Sequence, residues 1–283
     1  PAKPVFKDFV EAAKPVNNVP MTTCTLDGAD NLDILCRKFS ADNAQATLLV
    51  IHGMAEHSGR YKEFGEWMAS AGINVLAFDL RGHGQTAGSL GKLGHFADQD
   101  GWQLVIEDVR QVIDQTKTDH PSVPLYVLGH SMGSLIARTL LKEPLPGVAG
   151  MILSGTTHDP GMINSLGIAL AKTAGKLLGI KKHSNIHNHL TFGSFNKPFK
   201  EETSNFAWLS RDRDKVKEYE DDIYCGFVAT YGFYRDLLTG LKRLYKTPDA
   251  DANKNMPLLF IAGQNDPVRS EEHTSELQSL SHI

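Results

Sequence analysis

Ser131 is the residue whose setting first suggests chemistry. It lies in Gly129-His130-Ser131-Met132-Gly133, directly after the apolar run Leu125-Tyr126-Val127-Leu128 and before the helical spacing of Leu135, Ile136 and Leu140. A strand that turns sharply into a helix presents a serine hydroxyl at the strand end, and two glycines allow the backbone to fold that tightly. Acyl transfer from such a serine needs donors for the oxyanion, each worth about 3 kcal/mol in the transition state. The amide after the serine, that of Met132, is one. The amide of Met54 is expected to be the other, because His52-Gly53-Met54 follows the buried run Leu48-Leu49-Val50-Ile51. Both donors are main chain, so methionine side chains are left to line an apolar pocket. A carboxylate to orient a histidine is expected at Asp266, in Gly263-Gln264-Asn265-Asp266-Pro267, just past the run Leu258-Leu259-Phe260-Ile261. The order serine, acid, histidine then requires a base further on.

The elements that must position these residues alternate. Met21–Leu26 and Leu32–Phe39 read as a hairpin around Asp27-Gly28. Short continuous apolar runs at 48–51, 75–78, 125–128, 151–153 and 258–261 read as strands buried on both faces. Between them are helical periods, Phe64 to Ala71 and Leu104 to Ile113. Strands alternating with helices imply an α/β fold with a mostly parallel sheet. The stretch 157–234 breaks the rhythm and is read as an inserted helical cap. Its first part, Met162 to Ile180, carries Leu166, Ile168, Leu170 and Leu177 and suits a helix over an apolar pocket, or equally a helix buried against the sheet.

With 283 residues, 41% hydrophobic, 22% charged and a net charge of −4, the chain has the composition of one ordinary globular domain. Mixed charge along its length gives no basic stripe for nucleic acid. No run reaches the roughly 20 apolar residues of a membrane span. Cys24, Cys36 and Cys225 are scattered, which argues against a disulfide framework or zinc ribbon and for a reducing, cytoplasmic setting. The expected partner is a small molecule, with transient membrane-surface contact through the cap. Nothing signals an oligomeric state.

Three motifs in order resemble a known family: His52-Gly53-Met54-Ala55-Glu56-His57-Ser58-Gly59-Arg60-Tyr61, Asp79-Leu80-Arg81-Gly82-His83-Gly84, and Gly129 to Gly133. They are similar to the monoacylglycerol lipase and lysophospholipase group of α/β hydrolases, also labelled by a serine aminopeptidase domain name. The resemblance runs from Leu26 to Val268 and extends to Phe192–Lys197 and Trp208–Asp212. It implies an α/β-hydrolase fold, hydrolysis of single-chain lipid esters, oxyanion amides at Met54 and Met132, and Asp266 as the acid. It implies no cofactor.

The family's histidine would follow one more strand. Here Arg269 to Ser279 instead resembles the translation of a sequencing-adapter oligonucleotide. The expectation is therefore a hydrolase domain over 1–268, a foreign tail over 269–283, and a chain lacking its last strand, last helix and catalytic histidine. His273 and His282 would be accidental, and the chain as it stands would be inactive. His183, His187 and His189 have a spacing that could touch a metal, but no Cys or carboxylate accompanies them, and no metal is expected. Three functions compete: a lipid esterase; an aminopeptidase using Glu218, Glu220, Asp221 or Asp222 to hold an amine; and a lipid-binding protein without a base.

Overall fold

Each apolar run becomes a strand of one sheet. The computed structural model describes residues 19–157, 161–199 and 201–263. The strands are β1 (Met21–Asp27), β2 (Asp33–Phe39), β3 (Ala46–Ile51), β4 (Ile73–Phe78), β5 (Leu125–His130), β6 (Val148–Ser154) and β7 (Leu258–Ile261), in the spatial order β1-β2-β4-β3-β5-β6-β7. The expected hairpin forms, with Met21 opposite Phe39 and Cys24 opposite Cys36. From β4 to β7 every pairing is parallel.

The continuous apolar character of the runs has a direct cause in packing. Leu49 and Ile51 of β3 enter one core with α2 (Gly101–Asp119), α3 (Met132–Leu140) and α7 (Tyr231–Lys246). Leu48 and Val50, pointing the other way, enter a second core with Ala69 and Met68 of α1 (Lys62–Ser70). A strand covered on both faces has no polar position to spare.

Chain order reverses across β3. It sends the chain to β4 on one side and later receives β5 on the other, so the carboxyl ends of β3 and β5 are neighbours, Ile51 beside Gly129. Sites in open α/β sheets form at such a switch point.

Between β6 and α7 the chain forms α4 (Met162–Leu178), α5 (Asn185–Phe192) and α6 (Arg213–Asp221). The helix read at Met162 to Ile180 is α4, but it lies neither over the pocket nor against the sheet. It packs on α7. Met162, Ile163, Leu166 and Leu177 are more than two-thirds exposed as a result. Helix α7 itself begins within the 157–234 stretch, capped by the Thr230 hydroxyl, which accepts from the Phe233 amide. Its Phe233 and Tyr234 are fully buried.

Candidate active site

The turn from β5 into α3 places Ser131 in a backbone conformation that an ordinary β-to-α connection does not use, φ 51 and ψ −117. Such a residue persists only where its surroundings over-determine it. Here they do so sterically. A Cβ on Gly129 would lie 2.4 Å from the Gly133 carbonyl oxygen, and one on Gly133 would lie 2.1 Å from that of Ile51. The Ser131 amide donates to the Ser154 carbonyl at 2.8 Å, and the Ser131 carbonyl accepts from the Ser134 amide and hydroxyl. The hydroxyl is left at the N-terminus of α3, on the wall of a cavity of about 1210 Å³.

Opposite it runs the loop after β3. Gly53 approaches so closely that a Cβ there would sit 3.3 Å from the Ser131 Cβ. Among the described residues no hydrogen bond engages the amide of Met54 or of Met132. The two N–H groups expected as oxyanion donors are thus unengaged, one on the residue after Ser131 and the other in the loop that approaches it. The methionine side chains diverge: Met54 lines the cavity, whereas Met132 is buried in the core beneath it, so only one of the two faces a ligand.

The rest of the loop is heavily braced. Ala55 has φ 56. Its carbonyl accepts from the Tyr219 hydroxyl at 2.8 Å and the Gly226 amide at 2.9 Å. Glu56 is 3% exposed and accepts from the Gly53 amide at 2.6 Å, the Tyr61 hydroxyl and the Arg60 guanidinium. Burial opposes its ionisation, but the charges of His130 and Arg60 and the bond from Gly53 outweigh it, and the carboxyl is pulled down to about 2.

Each motif histidine makes at least one hydrogen bond, and only His83 keeps a buried ring nitrogen, Nε2, without a partner among the described residues. Nε2 of His52 accepts from the Leu80 amide at 2.9 Å, so its proton sits on Nδ1 and is donated to the Gly53 carbonyl at 2.7 Å. His83 is wholly buried and bonds the Arg81 carbonyl, and burial with the nearby His52 pushes it down to about 3. His57 shares a 2.8 Å hydrogen bond with Asp222, and its Nδ1 accepts from the Gly59 amide. His130 bonds the Ser154 hydroxyl. Asp266, His273 and His282 lie outside the described residues. The candidate metal histidines have separate partners, His187 with Ser184 and the Gly167 carbonyl, and His183 with the Val228 carbonyl. Among the described residues the cluster closest to a metal-ligand set is His57, Asp222 and Cys225, whose ligand atoms lie within 4.8 Å of one another.

The far wall of the cavity comes from α5 and the segment after it. Asn185, Asn188 and His189 give it a polar side, while Phe192, Phe206 and Trp208 give it an aromatic one. Glu56 is the one carboxylate among the described lining residues. The acidic group considered for an amine is engaged elsewhere: Glu218 with Lys215, Asp221 with Lys217, Glu220 with the Ser204 hydroxyl, and Asp222 with His57. The sequence reading did not find Tyr219, Gly226 or the polar face of α5. They lie far along the chain from the motifs they meet, and no local pattern marks them.

The arrangement has close counterparts among known proteins. Residues 42–281 match the family described as serine aminopeptidase, S33. The human monoglyceride lipase is 29% identical over 260 residues, spanning 90% of this chain and 77% of that protein. The mouse monoglyceride lipase is 28% identical over 245 residues, 85% of this chain and 72% of that one. Among solved structures, a thermostable carboxyl esterase from Bacillus coagulans in complex with glycerol superposes with a TM-score of 0.74, covering 94% of this chain and 98% of the esterase at 18% identity.

Proposed function

The chain belongs to the serine aminopeptidase, S33 family, and from that premise we propose that Ser131 is the nucleophile of a hydrolase that cleaves carboxylic esters of single-chain lipids. The observation that carries this reading is the strained Ser131 at the head of α3, opening onto a cavity between two unengaged amides. In this reading Ser131 Oγ attacks the acyl carbon while the amides of Met54 and Met132 receive the oxyanion. A histidine takes the serine proton and passes it to the leaving alcohol, with Asp266 orienting that histidine; water then releases the acid in a second half-reaction. No cofactor enters these steps.

The stretch 157–234 acts as the cap. Its amides and imidazole on α5 suit a polar head group, and its aromatic side suits an acyl chain, as in a monoacylglycerol or lysophospholipid. The monoglyceride lipases among the relatives act on that class by name. An aminopeptidase would need a carboxylate facing the substrate amine; Glu56 is consumed by Gly53, Arg60 and Tyr61, which weighs against that alternative.

The apolar face that α4 leaves open is the part of the cap suited to a lipid surface. Among the described residues no helix is long and apolar enough to cross a membrane. Exposed Met162, Ile163, Leu166 and Leu177, flanked by Lys172 and Lys176, instead make a face that lies on one.

In the full-length protein, Ser131→Ala should abolish labelling by a fluorophosphonate and reduce ester turnover by about a millionfold. Labelling that survives removes Ser131 from its role. Faster turnover of amino-acid anilides than of monoacyl esters would favour the aminopeptidase instead. Replacing Leu166 and Leu177 together by serine should weaken co-sedimentation with phospholipid vesicles and leave hydrolysis of a short soluble ester intact. Unchanged sedimentation would remove α4 from the membrane contact.

A further inference from the structure

We propose that the cap assembles the oxyanion hole, with Tyr219 as the positioning residue that holds the Met54 amide on target; this rests on the reading that Met54 is an oxyanion donor. Met54 sits between two anchored neighbours. On its amino side the Gly53 amide is held at 2.6 Å by Glu56, a contact within the loop itself. On its carboxyl side Ala55 is held with φ 56, in the left-handed region that alanine avoids because its Cβ crowds the following carbonyl. Among the described residues no hydrogen bond from the loop itself reaches the Ala55 carbonyl. The restraint on the Ala55 carbonyl comes from the far end of the cap: the Tyr219 hydroxyl in the last turns of α6 at 2.8 Å, and the Gly226 amide in the turn beyond at 2.9 Å. The Tyr219 hydroxyl also accepts from the Gly226 amide at 3.1 Å, so the three groups form one closed set.

Tyr219 is itself well seated. It is 6% exposed, its ring meets Phe206 edge-on with centroids 5.0 Å apart, and the Arg60 guanidinium lies 5.0 Å above it. The ring thus has a packing role that does not depend on its hydroxyl, and the hydroxyl holds a carbonyl whose hydrogen-bond partners among the described residues all come from the cap. A second tie runs in parallel: His57, two residues beyond Ala55, is bonded to Asp222 of the same cap turn at 2.8 Å. When the cap is seated, Ala55 stays left-handed and the Met54 amide faces the serine. When the cap lifts, these bonds part together, Ala55 relaxes, and Met54 loses its anchor on the carboxyl side, so that the Gly53–Met54 peptide carrying its N–H is free to turn from the serine. Hydrolysis is then possible only under a closed cap, where water is scarce and the acyl chain already bound.

The test uses the full-length protein with Tyr219→Phe, which removes the hydroxyl and keeps the ring. Three readouts separate positioning from mere structure. Turnover of a short soluble ester, per active site titrated with a fluorophosphonate, should fall about tenfold with KM changed less than twofold, a fraction of the 10²–10³-fold loss seen when an oxyanion donor is removed outright. Affinity for a trifluoromethyl ketone, whose serine adduct places an oxyanion in the same hole, should fall in parallel. Adding Ala55→Gly should restore much of both, because glycine adopts the left-handed conformation without the tyrosine. Per-site turnover and ketone affinity within twofold of the parent would overturn the proposal, whatever happens to thermal stability. So would a double variant no better than Tyr219→Phe alone. If instead turnover proves insensitive to Ser131→Ala, the hydrolase reading fails first, and that result is distinct from either of these.

Discussion

Ser131 and Ala55 face each other across the same cavity, and both are non-glycine residues held at positive φ, 51 and 56. They are held by different means. Around Ser131 the constraint is nearby: the end of β5, the start of α3, and two glycines, Gly129 letting β5 and α3 meet and Gly133 letting α3 meet the end of β3. Around Ala55 it comes from side chain and backbone 164 and 171 positions away in the cap. The difference separates two jobs. On the proposed reading, a nucleophile stands ready whether or not the cap is seated, so its strain is built into the sheet, whereas an oxyanion donor is needed only once substrate is enclosed.

The comparison breaks most readily on the Ser131 side. Gly133→Ala would drive a methyl group to 2.1 Å from the Ile51 carbonyl, a backbone atom that cannot swing aside. The cost should be about 3 kcal/mol or more, at the upper end of overpacking losses. Soluble yield and melting temperature should fall together, and fluorophosphonate labelling should be lost even in the folded fraction. Retention of both would mean that the turn is softer than its packing implies.

A smaller effect sharpens the Ala55 side through pH. The Glu56 carboxyl, at about 2 in the fold, lies below its ordinary value of 4.5. The unfolded chain therefore takes up its proton first as pH drops. The stabilisation is fully present above about 4.5 and is lost progressively as pH falls towards 2. Glu56→Gln should start less stable at neutral pH, since Gly53 and Arg60 lose a charged partner. It should then lose fewer degrees of melting temperature than the parent between pH 5 and pH 3. Parallel decline of the two proteins would show that the loop is not held by that charge. Among the described residues no carboxylate bonds Ser131 in this way, so the acid limb reports on the other wall of the site.

The parts of the molecule legible in the sequence are those whose cause is local. Strand β3 reads correctly because a strand buried on both faces can be nothing but apolar along Leu48 to Ile51, and the turn at Ser131 reads correctly because only glycine fits at 129 and 133. Helix α7 escaped notice although its Phe233, Tyr234, Leu237, Leu241 and Leu244 recur at helical spacing, because it starts within a stretch otherwise rich in polar residues. The apolar run of α4 was visible, but its placement was not: periodicity marks a face without saying what covers it, and α7 covers a different part than expected.

The sequence by itself determined the α/β alternation, the serine turn, the loop that carries Met54 and the family to which they belong. Each follows from short-range sterics or from the period of apolar burial, which a linear string records. Only the tertiary structure decided that Met132 turns its side chain into the core while Met54 lines the cavity, that α5 rather than α4 walls the site, and that a tyrosine at 219 grips an alanine at 55. Such contacts depend on where the chain crossovers return, and a hydroxyl and a carbonyl brought to 2.8 Å across 164 residues leave no periodicity behind them.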